Sequence, residues 1–80
     1  MITQYVRAAM ARARFEQLED GSWYGEIPGF QGVYANADTR EECVRELQEV
    51  LEEWLVLSFE KQLPIPVIDG MDLAVRKDVA

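Results

Sequence analysis

From Ile2 to Ala13 the apolar residues Ile2, Tyr5, Val6, Ala9, Met10 and Ala13 recur at three- and four-residue spacing, with Thr3, Gln4, Arg7 and Arg12 off the stripe. The spacing predicts a short amphipathic helix over residues 2–13. A helix of this length is marginal alone, so it is expected to be held by packing. Its Ala-rich apolar face is modest, which argues for a packing surface over a membrane anchor.

The period then shortens to two. Arg14–Glu19 and Ser22–Ile27 flank Asp20-Gly21, a favoured hairpin pair because the second position readily takes positive φ. In the second arm Trp23, Gly25 and Ile27 share one face, and Tyr24 and Glu26 the other. The run Pro28-Gly29-Phe30-Gln31-Gly32 has the residues needed to turn the chain into a third strand, Val33–Asn36. Three antiparallel strands are predicted.

A second helix follows. Thr39 stands at an N-cap position, with Glu42 three residues on to complete a capping box, and Glu41 and Glu42 favour the positive end of the helix dipole. Cys43, Leu47, Val50, Leu51, Trp54 and Ser58 trace its apolar stripe to about Lys61 or Gln62, broadened by Val44 and Leu55. Arg40, Glu41, Arg45, Glu46, Glu49, Glu52 and Glu53 make the polar face, where Glu41 and Arg45 are spaced to pair. After Trp54 that face is lost: Leu55, Val56, Leu57 and Phe59 surround the last turns with apolar surface, as at a subunit or partner interface. Pro64 and Pro66 stop the helix, leaving Val67-Ile68 and Met71–Val75 as short strand segments around Asp69-Gly70.

The predicted fold class is α+β, a three-stranded antiparallel sheet packed by one long helix, with a short N-terminal helix and a short C-terminal strand. Eighty residues make a single domain over 1–80, with a core over about 14–66, the helix at 2–13 and a tail at 71–80. A body this small buries a limited share of its surface, so association would help it.

Fifteen acidic against eight basic residues give a formal charge of −7, which opposes direct nucleic-acid binding and suits a basic partner. The single cysteine, Cys43, makes no intrachain disulfide. With no apolar run of membrane-spanning length and no basic-then-apolar leader, a cytoplasmic protein without membrane contact is expected.

The chain has no histidine, which removes the commonest general base and metal ligand. Cys43 lies in the first turn of the long helix, where a dipole lowers a thiol pKa, yet its place on the apolar stripe favours a buried structural role. Asp69 and Asp72 around Gly70 read as a turn, because a calcium loop needs more oxygen ligands. Nothing in the spacing of Glu16, Glu26 and Glu41 selects an acid-base pair. Gly25, Gly29 and Gly32 precede a strand and form no phosphate loop. Trp23, Tyr24 and Tyr34 resemble an aromatic platform but lack its basic groove, so packing is their expected use. No catalytic residue, metal site or cofactor is expected.

The ordered run Gly21, Tyr24, Glu26, Pro28, Gly32, Asp38, Thr39 and Glu42, continued by Leu47, Glu49, Trp54, Leu55 and Pro64-Ile65-Pro66, resembles the HicB-like antitoxin domain. The likeness covers most of the chain from Phe15 to Pro66. It implies a sheet with a helix on one face, and binding to a HicA-type toxin, a small basic RNA-cleaving protein whose active site the antitoxin masks. The chain departs from the pattern with Ala37 for Gly, Cys43 for Ala and an added N-terminal helix. Too few residues follow Pro66 for the DNA-binding module that many members add, which implies a stand-alone form.

These readings combine into a non-enzymatic interaction protein that forms homo-oligomers and neutralises a basic HicA-type toxin. Glu46, Glu49, Glu52 and Glu53 are the candidates for the basic partner, and Val56, Leu57, Phe59 and Leu63 for self-association. The alternatives are a stand-alone oligomeric regulatory or small-ligand-binding module with no toxin, and a degenerate carboxylate nuclease.

Overall fold

A computed structural model describes residues 2–73. The element order is α1 (Ile2–Ala11), β1 (Arg14–Gln17), β2 (Trp23–Glu26), β3 (Tyr34–Ala37) and α2 (Arg40–Lys61). The strands form an antiparallel meander in the order β1-β2-β3, with Phe15 opposite Gly25 and Gly25 opposite Ala35. The long helix covers one face of this sheet and α1 packs against the helix. The α+β class and its order of elements are therefore as the hydrophobic pattern predicts.

Local chemistry explains the element ends. Helix α1 stops two residues before the predicted end at Ala13, because Arg12 and Ala13 donate to the carbonyls of Ala9 and Met10, a tightened final turn. Strand β1 is shorter than predicted because Leu18 enters the hairpin loop, its carbonyl accepting from the Gly21 N–H at 2.9 Å and its N–H donating to Ser22 at 2.8 Å. Gly21 takes φ of 88° there, so the loop is one residue longer than a two-residue Asp-Gly turn.

Between β2 and β3 the chain makes two turns in succession. Phe30 donates to Ile27 and Val33 donates to Phe30, and Gly29 and Gly32 supply the positive φ inside each turn. The three-residue repeat sends Ile27, Phe30 and Val33 into the core, where all are buried. Val33 thereby spends its N–H on a turn, and β3 starts at Tyr34 rather than at the predicted Val33.

Helix α2 begins at Thr39, whose Oγ1 accepts from the Glu42 N–H at 3.1 Å and donates to the Glu42 carboxylate at 3.0 Å. Glu42 reaches back as the capping pattern predicts, but to the hydroxyl of Thr39. At the other end Gln62 adopts a left-handed conformation, and the N–H groups of Gln62 and Leu63 bond back to Phe59 and Ser58. This satisfies carbonyls that a helix end otherwise leaves open.

Cys43, Leu47, Leu51, Leu55 and Ser58 form the buried stripe of α2, with Val50 and Trp54 at its margins. The core extends beyond 14–66 on both sides. Tyr5, Val6 and Ala9 join it from α1, and Ile65 and Ile68 from the segment after α2. Phe30 ties these parts together by edge contacts to Tyr5 at 6.4 Å and Trp54 at 5.2 Å.

The segment after α2 folds back on α1. Tyr5 donates its hydroxyl to the Pro66 carbonyl, and Arg12 pairs with Asp69. Asp69 and Gly70 both have positive φ, and Ile68 and Met71 exchange backbone hydrogen bonds across them. That pattern is a two-residue hairpin turn of the type that Asp-Gly favours. Among the described residues, the predicted C-terminal strand is represented by the single bridge between Ile68 and Met71. In the predicted segment Met71–Val75, residues 74 and 75 lie outside the described residues, as does most of the predicted tail at 71–80.

Candidate functional site

Glu46, Glu49, Glu52 and Glu53 are all exposed on α2. Helical geometry places Glu46, Glu49 and Glu53 along one line and brings Glu52 beside Glu49. Glu52 accepts from the Gln48 amide at 3.3 Å. Among the described residues the one ion pair joins Arg12 to Asp69, so Glu41 and Arg45 do not form the pair their spacing permits. The outer face of α2 is thus a row of hydrated carboxylates.

The predicted apolar patch divides in the structure. Val56, Leu57 and Leu63 are exposed at 55%, 51% and 49%. Val56 and Leu57 border a shallow depression together with Glu52 and Glu53, so acidic and apolar candidates meet there. Phe59 turns differently. It is half-buried, packs on the core and lines a groove between the two helices with Ile2, Val6, Met10, Leu55 and Val56. Sequence periodicity could not place Ile2 and Met10 on the same groove as Phe59, because that arrangement depends on how α1 crosses α2.

Cys43 is fully buried against the sheet, 3.6 Å from the Ala35 carbonyl. Burial, and secondarily the charge of Glu46, pushes its thiol above the ordinary range. This is the environment of a structural cysteine, not of an activated thiolate. Asp69, weighed for a cation loop, occupies the hairpin turn and faces Arg12.

The three aromatic residues weighed as a platform go to opposite faces. A Cβ at Gly25 would meet Phe15 and Cys43, which identifies the helix-covered side of the sheet and places Trp23 there by alternation. Tyr24 and Tyr34 lie on the uncovered side, stacked at 6.3 Å with 27° between their planes. Tyr24 donates to the Glu26 carboxylate at 3.0 Å, and that bond is the main cause of a raised tyrosine pKa. The strand alternation carried the signal for this grouping, but the cross-strand register brings Tyr34 to it.

No helix among the described residues is long and apolar enough to cross a membrane. No curated protein matches the chain. A crystal structure of TTHA0281 from Thermus thermophilus is similar, with a TM-score of 0.85 at 36% sequence identity over 94% of each chain. The model of the UPF0150-like family matches residues 4–66, which span the three strands, all of α2 and the Tyr5–Pro66 closure. By that match and the shared fold, the chain belongs to the UPF0150-like family.

Proposed function

We propose that this protein is a cytoplasmic, non-enzymatic antitoxin of HicB-like type, which binds and masks a basic HicA-type RNA-cleaving toxin. The observation that carries this reading is the exposed acidic row Glu46, Glu49, Glu52 and Glu53 on the long helix, which forms no ion pair among the described residues. A chain with formal charge −7 attracts a basic protein over a distance, and the exposed row of carboxylates then orients the encounter. Family membership supplies the scaffold on which this surface sits.

The adjoining residues Val56, Leu57 and Leu63 support docking of a second copy, since they expose apolar surface at the end of the same helix. Sedimentation should then show a dimer or larger species. A monomer at high concentration removes self-association from the reading.

Co-expression with HicA-type toxins tests the main function. Growth should recover and a complex should co-purify. Reversing charge at Glu49 and Glu53 should weaken that complex and flatten its salt dependence. Neither recovery nor complex formation with any such toxin would overturn the antitoxin reading. The groove between α1 and α2, lined by Ile2, Val6, Met10, Leu55, Val56 and Phe59, favours the second reading, a stand-alone small-ligand-binding module.

A further inference from the structure

The face of the sheet turned away from α2 carries a different chemistry from the acidic helix. The register sets Glu26 opposite Tyr34 and Tyr24 opposite Asn36, and β1 adds Glu16 beside Tyr24 and Arg14 beside Glu26. Tyr24 and Tyr34 offer two nearly parallel rings, and Tyr34 is 59% exposed. The hydroxyl of Tyr24 holds the Glu26 carboxylate beside them. Tyr24, Glu26 and Tyr34 also wall a depression completed by the Pro28–Gly32 turns.

An aromatic face next to a fixed carboxylate matches a guanidinium group. The planar cation stacks on the ring while its N–H groups donate to the carboxylate. Arg40 already makes the stacking half of this contact on the other side of the sheet, 5.1 Å from the centroid of Phe15. Arg14 lies across from Glu26 without forming an ion pair, since the one pair among the described residues is Arg12–Asp69. Glu26 therefore keeps acceptor positions for an incoming donor. Bases of RNA also stack on tyrosines, but Glu16, Glu26 and the net charge of −7 repel a phosphate backbone.

We infer that the open sheet face docks an arginine side chain of a basic protein, with the guanidinium on the Tyr24–Tyr34 stack and paired to Glu26. This inference rests on the reading of the protein as a binder of basic proteins. It assigns the recognition contact to the sheet and leaves long-range attraction to the glutamates of α2.

The test compares an Arg-Gly repeat peptide with a Lys-Gly peptide of equal charge and with oligouridylate, by calorimetry and by chemical-shift mapping on the full chain. The Arg peptide should bind about threefold to tenfold tighter than the Lys peptide and shift resonances of Tyr24, Glu26 and Tyr34. Tyr34→Ala and Glu26→Gln should abolish that preference, whereas Tyr34→Phe, which keeps the ring, should retain it. Glu49→Gln with Glu53→Gln should weaken both peptides alike and leave their ratio unchanged. Equal affinity for the two peptides, an intact ratio in Tyr34→Ala, or tighter binding of oligouridylate would overturn the assignment. A toxin complex insensitive to Tyr34→Ala defeats the sheet contact alone. Arginine preference on the sheet without any toxin complex defeats the antitoxin reading alone.

Discussion

A Cβ built on Gly25 would lie 2.6 Å from Cε1 of Phe15, its cross-strand partner, and 3.1 Å from the buried thiol of Cys43. The missing side chain is what makes room for the Phe15 ring against Gly25, under the guanidinium of Arg40. Gly25→Ala should therefore destabilise the fold by about 1–3 kcal/mol, the usual cost of overpacking. Urea unfolding measures this, and the double variant with Phe15→Leu should recover part of the loss. Additive effects of the two changes would show that the ring is not what Gly25 accommodates.

Tyr5 ties α1 to the segment after α2 by donating to the Pro66 carbonyl. Tyr5→Phe leaves that carbonyl without its donor and should cost about 1–2 kcal/mol. Burial first, and the negative charge of Asp72 second, raise the tyrosine pKa. The folded state thus holds this proton more tightly than the unfolded chain. The resulting stability is complete below the unfolded tyrosine pKa of about 10 and is lost as pH rises through the higher folded value. Denaturation followed against alkaline pH should show a shallower loss in Tyr5→Phe, with Cys43 and Tyr24, both also raised, supplying what remains.

The two ends of α2 should respond in opposite directions. Thr39→Ala removes the acceptor for the Glu42 N–H and should cost about 1 kcal/mol, with Thr39→Ser nearly neutral. Gln62 sits at φ 55° and ψ 41°, a left-handed conformation that strains a residue bearing a Cβ. Gln62→Gly should stabilise by about 1 kcal/mol, readable as a higher urea midpoint at unchanged slope.

Cys43 should be silent in the native protein. Its burial and raised thiol pKa predict that a thiol reagent labels it only at the rate at which the chain opens. Labelling across a urea series should follow the unfolding curve. Rapid labelling in native buffer would place the thiol at the surface. Because the folded pKa is raised, this thiol adds stability below its unfolded pKa of about 8.5 and loses it as pH rises through the folded value.

Much of the architecture is local chemistry and was legible residue by residue. The Thr39 cap, the hairpin at Gly21 and the turns at Pro28-Gly29 each depend on one to four neighbouring side chains. The order of helix, three strands and helix follows from where the hydrophobic period switches between 3.6 and 2. The exposure of Glu46, Glu49, Glu52 and Glu53 was readable too, since hydrated carboxylates need no partner in the fold.

Contacts between distant residues were decided by the tertiary structure. Val56, Leu57 and Phe59 look equivalent in sequence, yet the crossing of α1 over α2 half-buries Phe59 and leaves the other two exposed. Ile65 and Ile68 enter the core while Val67 between them stays out, because Tyr5 and Arg12 grip Pro66 and Asp69 on either side. The sequence by itself determined the order of the elements, the N-cap of α2 and its acidic face, all set by interactions a few residues apart, while several predicted ends moved by one or two residues. Only the closed fold decided the Tyr24–Tyr34–Glu26 face and the division of the apolar patch, because both depend on strand register and helix crossing between distant segments.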